Sequence, residues 1–199
     1  DAAGFPAHFM ELWAYDAATL RRMGRHWETG EALPEAAVQA LATSQSFHAG
    51  ARVAEEVSMS RADLDLHARY QPEASESALE LARRAIGEEA AVIKLPCTEE
   101  GALCAFLGPF ATGYAAGHYV NLWAEVLAAD AFEAFQESGL DNDAAVRRLG
   151  LDFRARVLAP GAGRAPLAAF RDFRGRIPRL APLLRRLGLK RSVPSDGSS

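Results

Sequence analysis

The sequence predicts an all-α protein, and three observations support that prediction. Apolar residues recur three and four positions apart along most of the chain, which is the spacing of one face of an α-helix. Prolines such as Pro34 and Pro166 stand where helices would begin, because a first helical turn tolerates a residue without an N–H. We find no segment with the alternating pattern of a strand and no internal repeat.

The helical spacing divides the chain into successive elements. Pro6 suits a first helical turn, Pro72 ends the third helix, and Ser75 is a candidate N-cap for the fourth. The segment 93–112 lacks a sustained period and predicts an irregular loop, in which a short helical turn is compatible with the sequence. The predicted helices cover residues 9–23, 34–41, 45–70, 75–89, 114–137, 143–158, 166–173 and 178–187.

Composition narrows the classes of function. Hydrophobic residues make up 49% of the 199 residues, as in ordinary globular proteins. The net charge of -4 argues against a nucleic-acid partner. Cys97 and Cys104 have the spacing of neither a zinc knuckle nor a redox pair, and no apolar run or signal peptide indicates a membrane. We therefore expect a cytoplasmic protein, with one helical region over 1–190 and a disordered tail over 191–199.

Four sequence blocks together resemble a known family. Residues 1–13 read DAAGFPAHFMELW, and residues 113–130 read GYAAGHYVNLWAEVLAAD. Between these two segments lie the motifs FHAG and DLDLH. After the second segment come the motifs LAPG and FRGRIP. This order resembles the thimet oligopeptidase family of zinc peptidases, which includes oligopeptidase A and peptidyl-dipeptidase. The resemblance runs from residue 1 to about residue 189.

The resemblance implies a particular fold and a particular chemistry. The chain would be the C-terminal helical part of a zincin-type catalytic domain, within a longer bilobed peptidase that hydrolyses short peptides. In that family two histidines of a His-Glu-x-x-His helix and a later glutamate hold zinc. No His-Glu-x-x-His occurs in these 199 residues, and Gly4 stands at the position of the glutamate. We therefore predict no metal ligand and no zinc in this chain alone, and we assign no catalytic residue.

The resemblance also places a substrate-binding set. The family's tyrosines polarise the scissile carbonyl and hold the substrate backbone. Tyrosines remain at two of those positions and a glutamate remains near the start, whereas other polar residues replace the rest. The predicted binding residues are Tyr114, His118, Tyr119, Asn121, His8 and Glu11.

Helical spacing adds a geometric expectation. The offsets of three and four residues predict that Tyr114, His118 and Asn121 share one face of the long helix. His8 and Glu11 would face them across a concave site. The plainer interpretation is that His8 fills space beside a hydrogen-bonded Glu11 and that His118 is a partly buried polar residue.

Three functional interpretations stay open at this point. The chain is a degenerate peptidase module, a pseudoenzyme that binds peptides or a partner or acts as a scaffold. Alternatively, it is one half of a split zinc oligopeptidase, completed by a partner chain that carries the His-Glu-x-x-His helix. As a third interpretation, it is a repurposed enzyme that uses His8, Glu11, Tyr114 and His118. An exposed surface left by the other lobe predicts a homo-oligomer or an obligate partner.

One structural pairing follows from the sequence. Asp130 lies on the apolar face of the predicted long helix. A carboxylate in such a place usually pairs with an arginine or a helix cap. Arg174 and Arg176, from the block that reads FRGRIP, are the predicted partners.

Overall fold

The computed structural model describes residues 2–89 and 107–189. Within these ranges the chain forms helices and one isolated antiparallel bridge between Arg25 and Ala32, and it forms no strand. The predicted all-α class is confirmed. Among the described residues, no helix has both the length and the apolar character that crossing a membrane requires.

The helices are numbered here in chain order. The first five are α1 Phe5–Trp13, α2 Ala17–Met23, α3 Glu35–Ser44, α4 Ala49–Ala68 and α5 Ala78–Glu89. Those that follow are α6 Leu107–Ala111, α7 Val120–Ser138, α8 Asp143–Phe153, α9 Pro166–Arg174 and α10 Ala181–Arg186. The end of α8 continues as a π-helical turn, Arg154–Leu158, and a short 3₁₀ turn covers Gly161–Gly163.

The chain divides into two compact units. The central unit contains Gly50–Trp123, and the terminal unit contains Ala2–Ala49 together with Ala124–Ser199. The expectation of a single helical region over 1–190 stays a prediction, and the tail 191–199 lies outside the described residues.

Aromatic side chains form the core of the terminal unit. Phe5 and Phe9 project from one face of α1 because they are one turn apart. The ring of Phe9 stacks on that of Phe153 with centroids 4.1 Å apart, and it lies 5.3 Å from that of Phe135. Trp13 meets the ring of Phe135 edge-on at 5.5 Å. Helix α1 is therefore fixed against α7 and α8 by ring contacts, which are directional as well as apolar.

The central unit has a core of small side chains. Ala62 on α4 packs with Ala82, Ala85 and Ile86 on α5, and all four are almost completely buried. Small residues allow two helix backbones to approach closely, so α4 and α5 form the rigid base of this unit.

A buried ion cluster joins α7 to the chain after α9. Asp130 is fully buried, and both of its carboxylate oxygens accept hydrogen bonds from the Arg176 guanidinium at 2.6 Å. The backbone N–H of Arg179 donates to the same carboxylate at 2.6 Å, and Arg174 Nε donates to it at 3.3 Å. The predicted pairing of Asp130 with Arg174 or Arg176 is confirmed, and both arginines take part. The hydrogen bond to Asp130 raises the pKa of Arg176, and the one from Arg174 lowers the pKa of Glu137.

Several predicted helix boundaries were wrong. The helix expected over 9–23 is two helices, because the Asp16 carboxylate accepts hydrogen bonds from the N–H and the hydroxyl of Thr19 and thereby starts α2. The helix expected over 45–70 begins at Ala49, since His48 has a positive φ of 50°. The cap of α5 is Ser77, not Ser75, because Ser77 and Glu80 bond reciprocally as a capping box.

One further boundary differs. The last predicted helix, 178–187, is shorter and covers Ala181–Arg186. The loop expected over 93–112 contains the five-residue helix α6 at its end, which that expectation allowed, and its earlier residues lie outside the described part of the chain.

Changing Asp130→Asn should destabilise the protein strongly. The substitution keeps the size of the side chain. It removes the negative charge that accepts from the guanidinium groups of Arg174 and Arg176 and from the backbone N–H of Arg179. Breaking a buried ion pair in this way costs about 3–5 kcal/mol, because the remaining charges stay desolvated. Urea unfolding followed by circular dichroism gives the free energy directly. In the control Asp172→Asn, which breaks the surface pair with Arg164, we expect a loss of no more than about 1 kcal/mol. Equal losses in the two variants would contradict this account.

Candidate functional site

The chain between α6 and α7 is a loop, not the start of a helix. We call residues 113–119 the tyrosine loop. Gly113 has a φ of 80° and Ala116 a φ of 55°, both in the left-handed region that interrupts a helix. At Gly117 a Cβ atom would lie only 2.9 Å from the carbonyl oxygen of Tyr114, so glycine is required there. The helix predicted over 114–137 begins only at Val120.

The side chain of Asp63 holds the tyrosine loop in place. Its fully buried carboxylate accepts hydrogen bonds from the backbone N–H groups of Ala116 and His118, both at 3.0 Å. His67 supports Asp63 from the next turn of α4, with Nδ1 2.9 Å from Oδ1. The two N–H groups bond to a side chain more than fifty residues away in sequence instead of to carbonyls within a helix. This tertiary contact is the physical reason why the predicted helix is too long at its start.

His118 pairs with a glutamate that the sequence did not indicate. Its Nε2 lies 3.1 Å from Oε2 of Glu56, and its side chain is 18% exposed. Glu56 is on α4, two turns before Asp63, so one helix face holds both the backbone and the side chain of the loop. A partly buried imidazole beside a carboxylate can hold or transfer a proton. The sequence did not indicate Glu56 because a glutamate on a helix face carries no local signal, whereas Asp63 lies in the DLDLH block that carries part of the family resemblance.

The aromatic side chains of the tyrosine loop face solvent. Tyr114 is 56% exposed and Tyr119 is 36% exposed. Asn121 is exposed in the first turn of α7. Tyr114 and His118 precede α7, so the expectation that they share one face of the long helix with Asn121 was wrong. Turns of the loop backbone, and not a helix, therefore position the side chains of Tyr114 and His118.

At the start of α1, His8 covers Gly4. Gly4 is the N-cap of this helix, and a Cβ atom built on it would lie 3.3 Å from Cδ2 and 3.5 Å from Nε2 of His8. The methyl group of Ala124 is 3.4 Å from the same point. Nδ1 of His8 lies 3.6 Å from Oε2 of Glu11, one turn further along. The imidazole therefore fills the space into which a side chain at position 4 would extend.

The predicted binding residues are divided between the two units. His8 and Glu11 belong to the terminal unit, whereas Tyr114, His118, Tyr119 and Asn121 belong to the central unit. Their convergence on one concave site stays a prediction. Within the described residues, no group of three or more histidine, cysteine, aspartate or glutamate side chains is arranged to hold a metal ion.

Position 4 does not fit the zinc chemistry that the resemblance implies. Zinc in proteins is bound by thiolate, imidazole or carboxylate groups. A glycine provides none of these, and the His8 ring takes up the adjacent space. We therefore derive no reaction step through zinc from these residues.

The described residues therefore form an all-α domain in which a buried aspartate of α4 anchors the loop before α7. The model of Peptidase family M3 matches residues 1–189. The chain belongs to this family, as its sequence blocks predicted.

Relatives agree with the family assignment. The chain is 44% identical over 189 residues to organellar oligopeptidase A, chloroplastic/mitochondrial, of Arabidopsis thaliana, covering 95% of this chain and 24% of that protein. It is 35% identical over 190 residues to oligopeptidase A of Escherichia coli, covering 96% and 27%. It is 30% identical over 190 residues to dipeptidyl carboxypeptidase of the same organism, covering 95% and 27%. The chain thus spans about a quarter of the length of these relatives.

The contact between positions 4 and 8 predicts energetic coupling. Gly4 has helical backbone angles, so Gly4→Ala should gain about 0.4–1 kcal/mol by reducing the freedom of the unfolded chain, less the cost of alanine being a poorer N-cap than glycine. The 3.3 Å contact with His8 should cancel that gain, and His8→Ala should restore it. We expect a coupling free energy of about 0.5–1.5 kcal/mol in a double-mutant cycle measured by urea unfolding. Additive effects would contradict the packing of His8 on Gly4.

The anchoring of the tyrosine loop predicts a local change in hydrogen exchange. Asp63→Ala leaves the N–H groups of Ala116 and His118 without their acceptor, which costs about 1 kcal/mol or more for each, because both groups are partly buried. These two amides should exchange at least about tenfold faster in NMR, which corresponds to 1.4 kcal/mol. Asp65→Ala is the matched control, because Asp65 is equally buried on α4 but pairs with Arg61. Unchanged exchange in Asp63→Ala, or equal acceleration in both variants, would refute the anchoring role.

Proposed function

We propose that this chain is the peptide-binding part of an oligopeptidase-like protein whose third metal position has been lost. In this proposal it binds short peptides through the tyrosine loop and does not support zinc-dependent hydrolysis. The observation that carries the proposal is the packing of the His8 ring over Gly4.

The loss of metal binding depends on the residue at position 4 itself, not on where the chain starts. The family resemblance places a glutamate ligand there. Replacing that carboxylate by glycine removes one protein ligand and one negative charge from the metal site. A catalytic zinc needs three protein ligands and one open position, so a site with two protein ligands binds the metal weakly and positions water poorly.

Peptide binding in this proposal depends on the tyrosine loop. Asp63 fixes its backbone, so a ligand would meet a preformed surface and the entropic cost of ordering would be small. Tyr114 is 56% exposed, and a phenol can both donate to and accept from a peptide backbone. Relatives named oligopeptidase suggest the ligand class, which is short peptides.

One observation favours a second candidate function. Nε2 of His118 lies 3.1 Å from Oε2 of Glu56, close enough for the carboxylate to orient an imidazole that acts as a base. A repurposed enzyme would use this pair beside Tyr114, with Glu56 in place of the Glu11 expected from the sequence.

The remaining expectations of the sequence stay proposals. They are a cytoplasmic location, a homo-oligomer or obligate partner, and completion of a split enzyme by a chain that carries the His-Glu-x-x-His helix. Light scattering on the purified chain, alone and with such a partner, addresses the last two.

Peptide binding can be tested with the purified chain. The probe is an unstructured hexapeptide carrying a fluorophore, followed by fluorescence anisotropy with and without a chelator. We expect binding that the chelator does not change, no cleavage, and no stoichiometric zinc by elemental analysis. Tyr114→Ala should weaken binding about tenfold, equivalent to about 1.4 kcal/mol. Leu151→Ala removes a similarly exposed side chain, on α8, and should have no effect.

Each contrary result has a definite meaning. One tightly held zinc with cleavage that a chelator abolishes would refute the loss of the metal position. Binding that is absent, or unaffected by Tyr114→Ala, would refute the role of the tyrosine loop. Hydrolysis that resists a chelator and disappears in Glu56→Gln would favour the second candidate.

A further inference from the structure

A surface cleft lies along α8 in the terminal unit, and it shares no residue with the tyrosine loop. The described residues that line it all fall between Ala144 and Ala155, within α8 and the π-helical turn that continues it. At about 1.5 Å per residue, this stretch is about 16 Å long, or about three helical turns. The described wall of the cleft is thus the exposed side of one helix.

The cleft carries an excess of positive charge. Arg147 and Arg148 line it and are both exposed, and neither guanidinium pairs with another described residue. Asp152 also lines the cleft, but its carboxylate pairs with Arg156, one turn further along. Acidic residues are scarce nearby in sequence, since residues 144–189 contain eleven arginines and only two aspartates. Two positive charges of this face therefore remain to be balanced by a partner.

An apolar strip accompanies the two arginines. Leu151 is 55% exposed and lines the cleft, and the exposed methyl groups of Ala144 and Ala155 lie before and after it on the same helix. The opposite side of α8 is fixed, because the buried ring of Phe153 stacks on that of Phe9. A partner would therefore meet a preformed surface, and little entropy would be lost in ordering it.

The end of α8 is irregular where the cleft ends. The N–H of Ala159 donates to the carbonyl of Arg154, five residues earlier, which makes this turn π-helical. Such turns are rare and are found frequently at functional sites. Leu158, the last residue of the turn, is 44% exposed. The irregular backbone is an observation independent of the charge, and it marks the same helix.

The shape of the cleft indicates an elongated partner. Small-molecule sites bury about 70–90% of their ligand, whereas the described wall here is a single helix side. A second helix laid along α8 would itself provide the opposite wall, with its own residues at three- and four-residue spacing. A nucleic acid would place phosphates against Leu151. A membrane surface requires a broader apolar face than one leucine and two alanines provide.

We propose that this side of α8 docks an acidic amphipathic helix of a partner protein. Carboxylates of that helix pair with Arg147 and Arg148, and its apolar residues pack on Leu151 and the flanking alanines. An unstructured hexapeptide is too short to form a stable helix, so it does not use this surface. The docking surface is therefore independent of the proposed function of the tyrosine loop.

A pair of synthetic peptides tests the docking surface. The probe is a fluorescein-labelled 21-residue peptide with a stripe of leucines at helical spacing, flanked by glutamates. The control peptide has the same composition, but its leucines are distributed around the helix. In fluorescence anisotropy we expect saturable binding of the probe, at least about tenfold tighter than that of the control. The affinity should fall as salt is added, because exposed charges are screened. Amide shifts in NMR should concentrate in residues 144–155.

Variants separate this surface from a general attraction to the basic region. Arg147→Gln combined with Arg148→Gln should weaken probe binding at least about tenfold. The matched control combines Arg171→Gln with Arg179→Gln. It removes the same charge from exposed residues of the same unit that do not line the cleft, and it should bind the probe normally. Leu151→Ala should weaken the probe about fivefold without altering the dependence on salt.

Several results would overturn the proposal. They are equal affinities for the two peptides, equal losses in the two double variants, or amide shifts that lie mainly outside residues 144–155. Failure of the probe to bind, together with binding of phosphatidylserine vesicles or duplex DNA that Arg147→Gln with Arg148→Gln abolishes, would assign the surface to lipid or nucleic acid instead. The peptide comparison and the NMR mapping use the unaltered chain, so they hold even if a variant fails to fold.

Discussion

Asp130 is the residue on which the terminal unit most depends. A carboxylate without solvent exposure is costly in free energy unless charged and polar donors surround it. Arg174, Arg176 and the N–H of Arg179 supply those donors; Arg174 is the last residue of α9, and the other two lie in the segment that joins α9 to α10. The cluster therefore fixes the path of this segment across α7. It also sets the place of α10, whose Arg185 and Arg186 line a cavity of the terminal unit.

The central unit uses a buried aspartate for a different purpose. Asp63 binds two backbone N–H groups of the tyrosine loop, and in doing so it maintains a left-handed residue, Ala116, that would otherwise be unfavourable. The same helix supplies Glu56 to His118. A loop that displays two tyrosines is thus shaped by α4 together with its own glycines, Gly113 and Gly117.

Local sequence predicted the helices but not the contacts that end them. The spacing of apolar residues and the positions of prolines located most helices. The position of Asp130 on an apolar helix face was enough to predict that it pairs with Arg174 or Arg176. The start of α7 was misplaced because Asp63 captures N–H groups far along the chain, which periodicity does not register. The cap of α5 moved to Ser77 because Glu80 bonds back to it. Glu56 gave no signal at all, since only the folded loop brings His118 to it.

The pair of positions 4 and 8 bears most directly on function. A Cβ atom at position 4 would lie 3.3 Å from Cδ2 of His8, whose Nδ1 lies 3.6 Å from Glu11. A side chain introduced at position 4 therefore requires the His8 ring to shift. The effect of substituting Gly4 thus depends on the residue at position 8, because the two positions are coupled through packing in the first turns of α1.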